Sequence, residues 1–511
     1  MKYKRIIARL DVKGTNVVKG VHFECLRVIG KPGELAKEYY LQGADELIYI
    51  DTVANLYERE NLFDIVNKAS EDVFIPFTIG GGIRTLEDIK TLLNLGADKV
   101  AINTAAIKNP MLITEASEMF GSQCIVISIE AQRKDDGSYE AYTDNGRMST
   151  GIDVIAWAKR AEELGAGEIL LTSVENEGTK KGLDINLINQ VTSALSIPVI
   201  ASGGVGCPDD VRNCFLKTNA SAVAMGSLLH YKMSDVEKIK SILEDDKILI
   251  RKTDNPKRIR NITGNGRDIL DYNKYTRRHL SMAEDIAENI PHIEDLNATI
   301  GVIDYGINNV KSVQKAFKMI GKESRIIKNP AELKHVKALI LPGVGAFGKG
   351  MQSLQELGFV NAIQEEVLNK KPLLGICLGM QMLFSTSEEF GTNFGLDLIK
   401  GNVVKLKHPD QIADKDYRLP HIGWNKLKIY SPYTNYNIVS GIDENQLVYF
   451  VHSYYPEVNN SQDILATTQY GGQEFCVAVR HKNVFGTQFH PEKSGVVGLK
   501  ILAEFCKINK I

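Results

Sequence analysis

The chain of 511 residues has no surplus of either charge, no long apolar run and no regular array of cysteines. Its formal net charge of −2 argues against a nucleic-acid partner, because proteins that bind nucleic acid usually carry a basic surplus. The longest uncharged apolar stretch, residues 372–384, is too short to span a bilayer. The basic N-terminus is followed by an apolar run that is too short for a signal peptide. The seven cysteines are odd in number and scattered, unlike a disulfide framework. These absences predict a cytoplasmic protein without a membrane partner.

An internal repeat organises the first half of the chain. Residues 43–47 (GADEL) recur as 165–169 (GAGEI), and residues 75–83 recur as 197–205, both at an offset of 122. Short runs rich in β-branched residues alternate with segments of helical spacing, which predicts βα units. Eight such units in about 245 residues predict a (β/α)8 TIM barrel built from two similar halves. The duplication disfavours the rival fold, a doubly wound open sheet.

Composition divides the chain into three parts. Residues 1–250 carry the repeat and form the predicted barrel. Residues 251–297 are polar and locally basic without sustained apolar periodicity, which predicts a linker, with a basic binding patch as the alternative. Residues 298–511 alternate strands and helices again and then contain strand-like runs such as 447–455 and 474–490. This last part is predicted to be an open α/β sheet with antiparallel strands and flanking helices.

Cys377 differs from the other cysteines because glycines flank it at a predicted strand-to-helix turn. Residues 375–379 (GICLG) match the nucleophile elbow G-x-S-x-G with Cys in place of Ser. A helix N-terminus behind the thiol favours a thiolate and offers backbone N–H groups to an oxyanion, and the Gly-rich loop 341–347 suits the same task. His490 and Glu492 supply a base and a group that orients it. The alternative is an inert buried cysteine and an unrelated histidine.

Asp11 and Glu130 occupy matching positions of the repeat, each at the end of a predicted strand. In a barrel they would face each other across one mouth, where paired carboxylates suit general acid–base catalysis. Each acid alone could instead cap a loop. Glycine-rich and hydroxyl-bearing segments recur in both halves and can hold phosphates, which predicts an elongated bisphosphate substrate. These segments are residues 80–83 with 102–104 and residues 202–205 with 225–227.

The second domain, from about residue 299 to 511, resembles the class I (triad) glutamine amidotransferases. The match is narrower with the glutaminase subunits of imidazole glycerol phosphate synthases, through PGVGAF, LGICLGMQ, PHIGWN, YFVHSYY and GTQFHPEKS. The resemblance implies that glutamine is hydrolysed through a thioester on Cys377 and that ammonia is released. The residues that it implies for contact with glutamine are Gly345, Gln381, His452, Ser453 and Tyr454.

Residues 1–250 resemble the cyclase subunits of the same family, through RIIARLDVK, GADEL, TIGGGI, GADKVAINTAA and GAGEILLTS. The resemblance implies a multifunctional enzyme of histidine biosynthesis, a glutaminase and lyase joined by an ammonia channel through the barrel. Ammonia would join phosphoribulosylformimino-aminoimidazole carboxamide ribotide (the ribulosyl substrate), giving imidazole glycerol phosphate and aminoimidazole carboxamide ribotide. Asp11 and Glu130 take the positions of the catalytic acids. No metal and no cofactor are expected.

The same resemblance implies three further groups of residues. The substrate-binding group is Lys19, Gly82, Asn103, Thr104, Glu177, Gly203, Gly204, Gly226 and Ser227. The charged gate for ammonia, at the opposite end of the barrel, is Arg5, Glu46, Lys99 and Glu168. Asp98 and Lys493 form an ion pair between the two domains, which are expected to act on each other within the chain.

Several features depart from the cyclase pattern. Glu130, Glu175 and Glu177 stand where the family usually has Asp, and Arg9 replaces a Cys. An extra methylene displaces a carboxylate by more than about 1 Å, which matters in a tuned site. The cyclase also comes first here, whereas known single-chain synthases begin with the glutaminase. The alternative is therefore a paralogous amidotransferase that supplies ammonia for acetamidino modification of surface-polysaccharide sugars. A catalytically silent scaffold is a third possibility, which the complete triad opposes.

Overall fold

The computed structural model describes residues 3–52, 73–252, 299–414, 416–430, 437–443 and 445–511. The predicted linker lies outside these ranges except for Arg251 and Lys252, and so does most of its basic cluster. The domain boundaries therefore stay predictions. Within the described ranges, no helix combines the length and the apolar character that a membrane crossing requires.

Eight parallel strands form the closed barrel predicted for the N-terminal half. They are β1 (Arg5–Lys13), β4 (Glu46–Asp51), β5 (Phe77–Gly80), β6 (Lys99–Ile102), β7 (Ile125–Arg133), β10 (Glu168–Ser173), β11 (Val199–Ser202) and β12 (Ala222–Met225). Pairing of β6 with β7 and of β1 with β12 joins the two repeated halves into a closed ring. In each half an antiparallel hairpin follows the first strand, at β2 (Asn16–Val21) with β3 (Glu24–Gly30) and at β8 (Tyr139–Thr143) with β9 (Met148–Asp153).

Amphipathic helices cover the outside of the barrel, as their periodicity predicts. Gly43 and Gly96 follow the ends of the first two described helices with positive φ angles, the conformation that glycine tolerates best at a helix end. The helices are α1 (Pro32–Leu41), α2 (Leu86–Asn94), α3 (Thr104–Lys108), α4 (Met111–Phe120), α5 (Val154–Glu163), α6 (Ile185–Ala194), α7 (Pro208–Lys217), α8 (Ser227–His230) and α9 (Val236–Asp245).

The barrel interior is layered because successive side chains of a strand point to opposite faces. On β1, Ile6, Ala8 and Leu10 pack outward into the core under the helices, whereas Ile7 belongs to a separate apolar cluster at the centre. That central cluster is Ile7, Ile48, Ile50, Ala101, Val126, Leu170, Ile200, Ala222 and Ala224. The inward face of β1 therefore presents Arg5, Ile7, Arg9 and Asp11 in sequence, a cation, an apolar layer, a second cation and a carboxylate.

The second domain is built on an open mixed sheet, as predicted. Its strands are β13 (Ile300–Ile303), β14 (Ser324–Ile327), β15 (Ala338–Gly343), β16 (Leu373–Cys377), β21 (Lys428–Ile429), β24 (Ile464–Tyr470), β25 (Gln473–His481) and β26 (Val484–Thr487). Strands β14, β13, β15, β16 and β26 are parallel and in that order, followed by antiparallel β25, β24 and β21. The helices are α10 (Val310–Met319), α11 (Phe347–Glu356), α12 (Phe359–Leu368), α13 (Leu378–Gln381) and α14 (Gly495–Ile508).

The run 447–455, expected as one strand, is two strands in two small sheets outside the main one. Strand β22 (Leu447–His452) pairs with β20 (His421–Lys426), and β23 (Tyr454–Val458) pairs with β19 (Gly401–Lys405). Strands β17 (Thr386–Ser387) and β18 (Asn393–Phe394) complete the second small sheet. The break at Ser453 places the end of β22 and the start of β23 beside the predicted nucleophile.

The second domain rests on the end of the barrel where the parallel strands begin. Trp424 of β20 donates from its indole nitrogen to the carbonyl oxygen of Asp45 at 3.3 Å. The Arg251 guanidinium lies 4.2 Å from the Trp424 ring centre and donates to the Asp45 carboxylate at 2.8 Å. Since Arg251 is among the last described residues of the barrel half, the chain leaves the barrel at the face that contacts the second domain.

Candidate active sites

The predicted nucleophile, Cys377, ends β16 at a sharp turn into α13. Its φ angle of 53° lies in the left-handed region, which is unusual for a residue with a side chain. The flanking glycines permit the turn, because a Cβ on Gly379 would lie 1.7 Å from the carbonyl oxygen of Leu341. The helix behind the thiol is only the four residues Leu378–Gln381, so it contributes less of a helix dipole than the sequence suggested.

His490 and Glu492 lie together in the buried segment after β26. The His490 Nδ1 and Glu492 Oε1 atoms are 2.7 Å apart, so the carboxylate fixes the ring with Nδ1 as the donor. Burial opposes a charge on the ring, but the nearby Cys377 and Glu492 outweigh it and hold the pKa of His490 well above its usual value. This electrostatic balance favours the imidazolium form of His490, which places a cation beside the predicted nucleophile.

The residues implied for glutamine lie around the same turn. Gln381 donates from Nε2 to the backbone carbonyl of Tyr454 at 2.9 Å, and His452 Nδ1 lies 2.8 Å from that carbonyl. Burial lowers the pKa of His452 to about 4, so its ring is neutral and Nδ1 carries the donated proton. Ser453 is buried between these residues, and Gly345 sits in the loop after β15 with a φ angle of 131°.

Two buried residues of this domain carry chemistry that sequence reasoning missed. Gln488 donates from Nε2 toward Cys377 Sγ at 3.7 Å. Glu389 is buried and accepts from the backbone N–H of Phe347 at 2.6 Å, and burial raises its pKa to about 7. Gln488 precedes His490 by two residues, and residues i and i+2 of an extended segment share a face. The sequence could therefore have predicted that Gln488 lies on the same side as His490. Glu389 follows no local pattern that points to a site.

The four residues of the predicted gate form one closed ring at the bottom of the barrel. Arg5 donates to Glu46 at 2.8 Å and to Glu168 at 2.5 Å, and Lys99 donates to the same two carboxylates at 2.8 and 2.6 Å. All four side chains are fully buried. Burial opposes the charge on Glu168, but Arg5 and Lys99 outweigh it and lower its pKa to about 2.

The predicted interdomain pair is present and buried. Lys493 Nζ lies 2.8 Å from Asp98 Oδ2, and the same carboxylate oxygen accepts from the backbone N–H of Phe77 at 2.9 Å. Lys493 follows His490 by three residues, so the ion pair fixes the predicted base relative to the bottom of the barrel. Tyr449 connects His490 with the bottom of the barrel. Its carbonyl accepts from the His490 backbone N–H. Burial raises the pKa of its phenol, and the charge of Glu46 raises it further.

At the mouth of the barrel, Asp11 lies between two cations. Arg9 Nε and Lys19 Nζ each donate to one of its carboxylate oxygens, both at 2.9 Å. Burial opposes the charge, but Arg9 and Lys19 outweigh it and hold the pKa of Asp11 well below its usual range. Lys19 also pairs with Glu177, and Arg9 donates from Nη1 to Thr172 at 2.9 Å. Asp11 is therefore a carboxylate at neutral pH.

Glu130, the second predicted acid, has the opposite electrostatic environment. It accepts from the backbone N–H of Gly146 at 2.7 Å, but burial dominates and raises its pKa to about 7. Its protonated form stabilises the fold fully below the unfolded-state pKa, and this contribution is lost as pH rises through about 7. Two acids whose environments separate their pKa values are suited to different roles in proton transfer.

The two predicted phosphate regions differ in size, although the repeat predicted equivalent ones. A cavity of about 520 Å³ is lined by Gly82, Asn103, Thr104 and Glu130. The opposite cleft measures about 10 Å³. The remaining predicted substrate-binding residues line this cleft together with Arg9, and they are Lys19, Glu177, Gly203, Gly204, Gly226 and Ser227. The difference arises because the Arg9, Lys19 and Glu177 side chains occupy the second region.

Comparison with known proteins finds one family in each half of the chain. A family described as "Histidine biosynthesis protein" matches residues 5–235, and "Glutamine amidotransferase class-I" matches residues 301–508. The fold and the two sites thus define a class I glutamine amidotransferase joined to a histidine-biosynthesis barrel.

The relatives identify the family of the barrel more closely. Imidazole glycerol phosphate synthase subunit HisF of Legionella pneumophila is 62% identical over 206 residues, which covers 40% of this chain and 97% of that protein. The HisF subunit of Methanocaldococcus jannaschii is 47% identical over 270 residues, covering 49% and 99%. The HisF subunit of Alkaliphilus metalliredigens is 46% identical over 249 residues, covering 49% and 99%. The chain belongs to the imidazole glycerol phosphate synthase family, with a HisF-type barrel fused to an amidotransferase domain.

Proposed function

We propose that this chain hydrolyses glutamine at Cys377 and uses the ammonia inside the barrel to make imidazole glycerol phosphate and aminoimidazole carboxamide ribotide. The acceptor would be the ribulosyl substrate of histidine biosynthesis, and the reaction would take place in the cytoplasm. The observation that carries the proposal is the order of side chains along the interior of the barrel. A charged ring faces the second domain, an apolar layer follows, and two acids with opposite protonation preferences lie at the mouth.

In the glutaminase step, the Cys377 thiolate attacks the carboxamide carbon of glutamine, and the imidazolium of His490 protonates the departing ammonia. Water then hydrolyses the thioester to glutamate, with the neutral His490 as base. Backbone N–H groups at the turn after Cys377 and in the loop around Gly345 are suited to the oxyanion. We assign Glu389, whose charge acts on the phenol of Tyr454, to the α-ammonium of glutamine, because a buried carboxyl favours a cationic partner.

The route for ammonia runs from the thiol past Tyr449 to the ring of Arg5, Glu46, Lys99 and Glu168. Opening that ring breaks buried charge pairs, which costs free energy. We expect the arrangement of the two domains to control this opening, because the Asp98–Lys493 pair ties the segment that bears His490 to the barrel. Above the ring, the apolar layer favours neutral ammonia over ammonium.

In the barrel, we assign Asp11 as the proton acceptor, because it is ionised at neutral pH. Arg9 and Lys19 also weaken it as a base, so it accepts a proton best when the substrate draws one of these cations away. Glu130 acts as the general acid, because burial keeps a large fraction of it protonated near neutral pH. The substrate phosphates are assigned to the two Gly-containing regions, one at Gly82 with Thr104 and one at Gly204 with Ser227. The Ser227 hydroxyl is buried and has no hydrogen-bond partner among the described residues, which leaves it available to a phosphate.

One observation favours the alternative function in sugar modification. The second cleft is nearly filled by Arg9, Lys19 and Glu177, so a bisphosphate substrate must displace an existing ion pair to bind there. A barrel that relays ammonia to another enzyme would not need that cleft to open.

Product formation by the purified full chain distinguishes the two functions. Given the ribulosyl substrate and ammonium, we expect imidazole glycerol phosphate, at a rate that falls as pH rises through about 7 because Glu130 loses its proton. The comparison is made at a fixed concentration of free ammonia, since ammonia itself increases with pH. Glu130→Gln should lose about 100-fold in rate and the dependence on pH. No product from a folded barrel would favour the sugar-modification pathway.

A further inference from the structure

A chain of buried amides lies behind the nucleophile. Gln381, at the end of α13, donates from Nε2 to the Tyr454 carbonyl at 2.9 Å and to Gln488 Oε1 at 3.1 Å. Gln488 Nε2 in turn lies 3.7 Å from Cys377 Sγ, within hydrogen-bond range for sulfur. Gln488 is fully buried, and its backbone N–H is bonded to Val477 of β25 at 2.9 Å.

The orientation of both amides follows from one backbone group. The Tyr454 carbonyl only accepts hydrogen bonds, so the amide atom of Gln381 that faces it must be nitrogen. That nitrogen has a second neighbour on Gln488, which must therefore be the oxygen. The nitrogen of Gln488 is left facing the sulfur, so this side chain presents a donor, and not an acceptor, to Cys377.

Among the described residues, few groups other than this amide can stabilise a charge on the sulfur. The helix that begins after Cys377 has four residues, and a single turn carries only a small dipole. Among the described residues, the titratable groups on which Cys377 acts electrostatically include His490, Tyr305 after β13 and Cys124 of the barrel. Burial raises the pKa of both Tyr305 and Cys124, so these two stay neutral. The Val451 carbonyl, 4.0 Å from the sulfur, can only accept from it. His490 is therefore the nearby cation and Gln488 the amide donor.

We propose that Gln488 is a positioning residue of the glutaminase site. Its amide donates a hydrogen bond to Cys377 Sγ, stabilises the thiolate and holds it in place for attack on glutamine. Gln381 takes part by orienting Gln488, in addition to its assigned contact with glutamine. This inference rests on the proposed role of Cys377 as the nucleophile, and on nothing in the barrel reaction.

The test is the rate at which iodoacetamide alkylates Cys377 across a range of pH, followed in the full chain by mass spectrometry of the peptide that carries this residue. Gln488→Leu removes the donor, and we expect the pH profile to move toward higher pH. The glutaminase kcat should fall by about 10- to 100-fold with a smaller change in KM, because a hydrogen bond to a charged group is lost. Gln364→Leu is the matched control, since that amide bonds to the Leu396 carbonyl in the same domain.

Gln488→Glu is a second variant, with a side chain of nearly the same shape. It tests the hydrogen bond to Cys377 if Gln488→Leu does not fold. Its carboxylate opposite the sulfur should move the alkylation profile further toward higher pH. A profile that coincides with that of the parent chain in either folded variant, or an equal shift in Gln364→Leu, would overturn the proposal. A failure of the underlying assignment is recognised separately, because glutamine would then be hydrolysed without Cys377.

Discussion

Replacing Cys377 with Ala should abolish glutamine hydrolysis while leaving ammonia-dependent chemistry in the barrel intact. The loss should be on the order of 10⁴-fold or more, because alanine offers no nucleophile on which the thioester could form. The measurement is glutamate release from glutamine, followed beside product formation from added ammonium. The second rate should stay within about twofold of the parent chain, since the change lies in the other domain.

Cys506→Ala provides the matched control for this result. Cys506 is a buried free cysteine in α14 of the same domain. Its replacement by alanine also removes a buried sulfur atom, but one that lies outside the elbow. Its glutaminase rate should equal that of the parent chain. Glutamate release that persists in a folded Cys377→Ala variant would mean that the elbow does not carry the nucleophile.

Replacing Asp11 with Asn should stop the barrel reaction whatever the source of nitrogen. The variant keeps the shape of the side chain but removes the carboxylate that accepts a proton, so we expect a loss of about 100- to 10,000-fold with both glutamine and ammonium. Basal glutamine hydrolysis should continue, because Asp11 lies at the opposite end of the barrel from Cys377. The measurement is the rate of product formation beside the rate of glutamate release in one preparation.

Asp135→Asn is the control for the loss of a carboxylate. Asp135 is exposed in the turn between β7 and β8, and its replacement should change neither rate. Thermal unfolding of Asp11→Asn is needed as well, because Arg9 and Lys19 lose a partner that they share. If a folded Asp11→Asn variant forms product at the parent rate, the assignment of the base is wrong.

The sequence repeat was sufficient to predict the closed barrel, because an offset of 122 residues preserved strand, helix and glycine positions together. The elbow around Cys377 was also visible, since its glycines permit a turn that other residues would block. The split of 447–455 at Ser453 was not, because both halves are apolar and extended and only tertiary packing separates them. Local periodicity carries no information on which of two sheets a strand joins.

The protonation of the two acids at the mouth of the barrel could not be predicted from the sequence either. The sequence placed Asp11 and Glu130 as equivalents, but Asp11 has two cations as neighbours and Glu130 has a backbone N–H. Their pKa values therefore move in opposite directions, which depends on side chains from distant strands. Arg9 was recognisable as a departure from the family, but its bond to Thr172 of β10 appears only when the ring is closed.

The transfer of ammonia between the two sites is tested most directly by following the amide nitrogen of glutamine through the full chain. The protein is given glutamine labelled with ¹⁵N in the amide, the ribulosyl substrate and an excess of unlabelled ammonium. We expect imidazole glycerol phosphate whose new ring nitrogen carries the label, because ammonia passes from Cys377 through the gate without mixing with the solution. Absence of this product would contradict the proposed barrel reaction, and a product with the isotope ratio of the bulk ammonium would contradict the passage of ammonia through the barrel.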